Sequence, residues 1–151
     1  MSSRFEDATQ DVYDVFREVK IEHFPELRNA GILILFDKKK RQSGGRIVLG
    51  RIQKANELVK KLTDHEIEDG YDYIMYIDKR AWEHSAEVDR VRLIRHELRH
   101  TLVDFDSRTT PYKLRGHTIE DFYEEIELNR DDSRWAERMA EVVASVYEAG
   151  D

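Results

Sequence analysis

Residues 96–100 read His-Glu-Leu-Arg-His, and no other stretch of the chain narrows its possible folds so far. Two histidines four positions apart lie one above the other on an α-helix, so His96 and His100 can turn both imidazoles toward a single divalent ion. Glu97 then falls on the adjoining flank, where its carboxylate can take a proton from a water held by that ion. The HExxH spacing therefore predicts a helix carrying a metal-dependent hydrolytic site. At about 100° per residue, Val91, Ile94, Leu98, Leu102 and Phe105 form one apolar stripe, while the histidines lie on the far side with Glu97 beside them. Leu93 and Val103 border the histidines, which favours a lined cleft over two histidines and a glutamate decorating a solvated face.

A chain of 151 residues can bury the core of one domain and is short for two. Charged residues make up 38 % with a net charge of −7, so the composition offers no general attraction to nucleic acid, and nucleic acid is not expected as a partner. There is no cysteine, which excludes disulfides, thiolate metal sites and thiol nucleophiles together. Any zinc must therefore be held by histidine and carboxylate. No apolar run approaches the roughly 20 residues that span a bilayer, and the first residues lack the basic and apolar parts of a signal peptide. A cytoplasmic protein without membrane contact is expected; oligomeric state is not legible.

Taken in order, residues 5–21 carry Phe5, Val12, Val15, Phe16 and Val19 at helical spacing, predicting a first amphipathic helix with His23 at its C-terminal end. Gly31 opens the run Ile32, Leu33, Ile34, Leu35 and Phe36, too short for a helix and apolar throughout, hence a strand buried on both faces. Residues 37–45 are polar and glycine-bearing, a loop whose bases at 38–41 could hold a phosphate or an acidic partner, or simply form a solvated hairpin tip. Residues 46–52 predict a second strand, marked as an edge by its arginines and Gly50, which an extended peptide could join. A short helix at 55–62, a strand at 71–77 and a capped helical turn at 78–83 with Trp82 as an apolar plug follow. His65 reads as an exposed loop residue in an acidic cluster that could also take a metal, and His84 as a surface residue or one that supports the metal site from behind. The HExxH helix is expected to span 87–103, followed by a long non-periodic segment, a helix capped by Thr118, and a last helix bearing Trp135, Met139, Val142, Val143 and Val146.

A catalytic zinc takes three protein ligands and leaves one position open. His117 is the first choice for the third, because Gly116 lets the backbone turn before it and a helix follows to hold it. Glu120, Asp121 and Glu124 are the carboxylate alternatives. The HExxHxxGxxH layout is absent. An oxyanion on a scissile carbonyl needs a donor besides the metal, and Tyr112, Arg115 or Tyr123 could supply it, with Tyr112 as the working choice. Asp104, Asp106 and Asp121 are candidates to orient the histidine rings.

With Arg95, His96, Glu97, Leu98, Arg99 and His100 followed downstream by residues 113–122, the chain resembles small zincin-type metallopeptidases, and among them the putative phage metallopeptidase family, over most of its length from about Gly31. The resemblance implies His96, His100 and His117 as metal ligands, Glu97 as base, and a zincin-like helix, sheet and helix arrangement with the metal helix under the sheet. Likeness to SprT-like and ImmA-like domains is confined to HExxH and the order of strand and helix. The expectation is an α+β fold in which a first helix and a mostly three-stranded sheet shelter the HExxH helix and two C-terminal helices close the cleft. Its expected function is zinc-dependent hydrolysis of a peptide or protein substrate. The alternatives are a non-catalytic zinc-binding peptide-recognition or regulatory module, and a SprT-like protease acting on DNA-bound protein.

Overall fold

The computed structural model describes residues 3–108, 111–116 and 123–150. In chain order these form β1 (Phe5–Asp7), α1 (Gln10–His23), β2 (Ile32–Asp37), β3 (Gln42–Ser43), β4 (Arg46–Ile47), β5 (Gly50–Lys54) and α2 (Glu57–Leu62). There follow β6 (Tyr73–Asp78), α3 (Lys79–Glu83), α4 (Glu87–Arg99), β7 (Thr101–Val103), β8 (Tyr112–Leu114), α5 (Tyr123–Leu128) and α6 (Trp135–Glu148). The result is a mixed α+β architecture. Its main sheet has the order β1-β2-β6-β5, with β2 and β6 parallel from Ile32 beside Tyr73 to Asp37 beside Asp78, and the outer strands antiparallel to their neighbours.

The two strongest apolar runs of the sequence thus become the two central strands, where both edges are hydrogen-bonded. Along β2, Ile32, Ile34 and Phe36 are buried while Leu33 and Leu35 are only half-buried, so the strand is fully covered on one face rather than both. Val12, Val15, Phe16 and Val19 of α1, Leu93, Ile94 and Leu98 of α4, and Trp135, Met139 and Val143 of α6 complete one continuous core with them. Val142 and Val146 do not share in that burial fully: Val142 is exposed and Val146 half-buried.

Three expectations are corrected. The sheet has four strands, not three, because residues 5–7 are extended and pair with β2 instead of starting the first helix. Phe5 packs edge-on against Tyr76 at 5.6 Å, a tertiary contact that outweighs the helical spacing of its side chain. The strand expected at 46–52 is divided: β4 pairs with β3 in a hairpin around Gly44 and Gly45, both at positive φ, and β5 alone joins the sheet as its edge. The HExxH helix ends at Arg99 rather than Val103. There the Thr101 hydroxyl donates to the Leu98 carbonyl at 2.6 Å, and residues 101–103 turn into a strand paired with β8. Leu102 and Phe105, placed on the core stripe by a longer helix, are accordingly exposed. Trp82, by contrast, is the expected plug: Asp78 caps α3 through the Ala81 amide at 2.8 Å, and the buried indole donates to Asp11 at 2.8 Å.

Asp37, at the end of β2, is buried and accepts from the side chains of Arg4 and Arg41 at 3.0 to 3.1 Å and from the Lys39 amide at 3.0 Å. Burial pushes its carboxyl upward, but the Arg4 guanidinium, the Lys39 amide and Arg41 outweigh burial and hold it below the usual aspartate value. A carboxyl lowered by folding stabilises fully above its unfolded value of about 3.9 and loses that contribution as the pH falls through its folded value. Asp37→Asn is therefore expected to cost about 1–3 kcal/mol at pH 7. Urea unfolding as a function of pH should show the difference from the parent shrinking steadily below about pH 4.

Candidate metal centre

The helix that carries HExxH is covered on nearly all sides. Leu93, Ile94 and Leu98 face the core, while Arg92, Arg95 and Glu97 are also buried and His96, Arg99 and His100 partly so. Its polar flank is not solvated but packed beneath α5 and α6. Glu125 of α5, fully buried, accepts from Arg95 at 2.8 Å and from Arg99 at 3.0 Å, and Arg95 also donates to the buried Asn129. Arg92 pairs with Asp89 at 3.0 Å and Asp131 at 2.6 Å, and Arg138 of α6 bonds Asp89. These arginines, interleaved with the histidines, clamp two later helices onto α4.

Against this frame the histidines are tightly held. The rings of His96 and His100 lie 5.5 Å apart between centroids at 77°, and Trp135 packs edge-on against His96 at 6.1 Å. His100 is the C-cap of α4 yet keeps helical dihedrals, so the early end of the helix preserves the i, i+4 register. Its Nδ1 lies 2.9 Å from the Arg115 carbonyl oxygen. A carbonyl can only accept, so Nδ1 carries the proton and the lone pair resides on Nε2. The holder is thus a backbone carbonyl rather than an acid: Asp104 is paired with Lys113 at 3.1 Å, and Asp106 is exposed.

Glu97 is only 5 % exposed and opens into a cleft of about 390 Å³ shared with both histidines and walled by Val48, Gly50, Arg51, Ile52, Leu114 and Arg115. Burial pushes its carboxyl upward, and the nearby His96 and Arg51 act in the opposite direction. Gly50 of β5 passes close by: a Cβ there would stand 3.5 Å from the Glu97 Cγ and 3.4 Å from the Tyr76 carbonyl oxygen, in ordinary contact with both. Gly50, Arg51, Leu114 and the Glu125 clamp were not among the expected site residues. Only the glycine in a predicted edge strand, and the two arginines bracketing His96, carried any sign of them.

Do these residues suit a metal? With Zn–N bonds of about 2.1 Å and a tetrahedral angle, two imidazole centroids fall roughly 5 Å apart, and an Nδ1–H tautomer is the one that frees Nε2 for coordination. His96 and His100 satisfy the spacing, and His100 the tautomer. Among the described residues no third histidine, aspartate or glutamate joins them in a metal-holding group. His117, Glu120 and Asp121 lie outside the described residues. Glu124 is exposed and 3.5 Å from the Arg115 guanidinium.

The family model described as putative phage metallopeptidase matches residues 3–147. The chain belongs to this family. No curated protein and no solved structure matches it. In this member of the family, two closely spaced histidines and a buried glutamate meet at one opening.

The other expected residues fall elsewhere. Tyr112 on β8 packs edge-on against Tyr73 at 5.9 Å and lines a separate, larger cavity of about 660 Å³ with Lys54, Glu57, Lys60 and Asp72, away from the histidines. Arg115 lines the cleft, and its Nε donates to the Arg99 carbonyl at 2.7 Å. Tyr123 begins α5. His65 and His84 are exposed, and His23 ends α1. No described helix is long and apolar enough to cross a membrane.

Removing the carboxylate between Arg95 and Arg99 would leave two nearly buried guanidinium groups without their partner. Glu125→Ala is expected to cost about 3–5 kcal/mol, or roughly 10 °C in thermal midpoint for a chain of this size, read by calorimetry on the metal-free protein.

Proposed function

We propose that the protein is a zinc-dependent peptidase with a zincin-like fold, and the observation that carries this reading is the buried Glu97 opening beside the paired imidazoles under an edge strand. His96 and His100 would hold the ion through Nε2. His117 is the proposed third ligand: Arg115, two positions earlier, touches His100 through its carbonyl and Arg99 through its side chain, so the chain sets out toward residue 117 from the lip of the cleft. When bound, the ion supplies Lewis acidity, polarising a carbonyl and lowering the pKa of water.

The remaining work falls to the chain's own groups. β5 presents its unpaired edge above the cleft, and an extended peptide can continue the sheet there, with Gly50 leaving room for its backbone beside Glu97. The Glu97 carboxylate takes the proton of the attacking water and returns it to the departing amine. Among the donors considered for the oxyanion whose side chains are described, Arg115 lines the cleft and Tyr112 lines the other cavity, so Arg115 is the proposed donor.

Zinc content per chain, measured by elemental analysis after loading and desalting, is expected to be one in the parent and in Glu97→Gln, and to be lost in His96→Ala and His117→Ala. Hydrolysis of a mixed peptide library should fall by about 10²–10⁴ in Glu97→Gln. Zinc retained in His117→Ala would move the third ligand to Glu120, Asp121 or Glu124, and full hydrolysis by Glu97→Gln would refute the mechanism.

A further inference from the structure

Next to the histidine cleft, and sharing Val48 and Arg51 with it, lies a second depression of about 400 Å³ lined by Arg4, Lys39, Lys40, Arg41, Gln42, Ser43 and those two residues. Five of its lining side chains are cationic and none is anionic, on a chain whose net charge is −7. The cations are not a loose hairpin tip. Arg4 and Arg41 are fixed by the buried Asp37, Arg41 also lies over the Tyr76 ring at 5.1 Å, Lys40 faces the Tyr147 ring at 5.9 Å, and the Val48 amide bonds the Arg41 carbonyl at 2.9 Å. Among the described residues Asp37 is the one carboxylate within ion-pair distance of this set; Arg51 also acts electrostatically on Glu97 across the shared wall, and Lys39 and Lys40 are left with no ion pair.

We infer that this depression is a specificity subsite for acidic side chains of the peptide that lies along β5. The inference rests on the reading of the neighbouring cleft as a peptide site. Arg51 belongs to both depressions because it follows Gly50 on the edge strand, so a peptide extended along that edge past Glu97 runs directly into the basic pocket. Alternate side chains of an extended segment point the same way, which lets successive acids two residues apart address one wall. Carboxylates rather than a nucleic acid suit the site. It is a pocket sized for side chains, its lining residues include no aromatic platform for bases, and the acidic surface as a whole repels a polyanion.

The test is fluorescence anisotropy on the zinc-supplied Glu97→Gln protein, using a labelled peptide of alternating Glu and Ala and its Gln-for-Glu counterpart. The Glu peptide is expected to bind about five- to tenfold more tightly at low salt, with the gap narrowing as salt is raised. Adding Lys39→Gln and Lys40→Gln, both exposed positions, should bring the two peptides within about twofold while the Gln peptide binds as before, and Lys39→Arg with Lys40→Arg should keep the gap. Equal binding of the two peptides, or a gap that survives the Gln pair, overturns the subsite. So does displacement of the Glu peptide by a single-stranded oligonucleotide at concentrations where unlabelled Glu peptide fails. If the parent chain binds the Glu peptide selectively but cuts neither peptide, the peptidase reading fails and the subsite stands; if it cuts both equally, the subsite alone fails.

Discussion

Glu125 between Arg95 and Arg99 is the interaction on which the arrangement turns. Burying an ionised group costs several kcal/mol unless it is paired and hydrogen-bonded, so a helix covered on its polar side must find partners there. The guanidinium groups that flank His96 on α4 find them in a glutamate thirty residues later, and that requirement docks α5 at one place and in one orientation. Arg92, Asp89 and Arg138 do the same for α6. Because planar guanidinium pairs tolerate little angular error, the later helices are set by geometry as well as by apolar contact. Trp135, brought in on α6, then buttresses the His96 ring.

The opening itself is made by what approaches α4 from the other side. β5 is the outer strand of the sheet, and at Gly50 it passes close by Glu97. The small β7 and β8 ribbon follows directly from the end of the helix and returns Arg115 to His100, whose tautomer its carbonyl sets. The His100 ring is therefore oriented by main chain, and the carboxylate lies under the outer strand of the sheet. The same edge leads into the cationic pocket, so one strand links a proposed cutting site to a proposed recognition site.

Much of this was readable in advance. The apolar run at 32–36 and the aromatic and β-branched run at 71–77 were legible as strands, Asp78 with Trp82 announced a capped and plugged turn, and Trp135, Met139 and Val143 marked the core face of α6. The failures share a cause. Phe5 has helical spacing relative to Val12 but is drawn into a strand by Tyr76 and β2, and residues 101–103 continue the helical stripe but are drawn out of it by β8. In each case the local pattern was weak and a distant partner decided. Arg95 and Glu125 were invisible as a pair because nothing in a sequence tells which distant acid a buried arginine will meet.

By itself, the sequence determined the helical register of His96, Glu97 and His100, the want of cysteine ligands and the identity of the central strands, because periodicity and side-chain chemistry act within a few residues. The tertiary structure decided that Glu97 is buried, that His100 is held by the Arg115 carbonyl, that Tyr112 faces another cavity and that the bases at 39–41 meet Arg51 beside the cleft. Those outcomes depend on contacts between segments far apart in the chain, where packing and the pairing of buried charge, rather than local preference, select the arrangement.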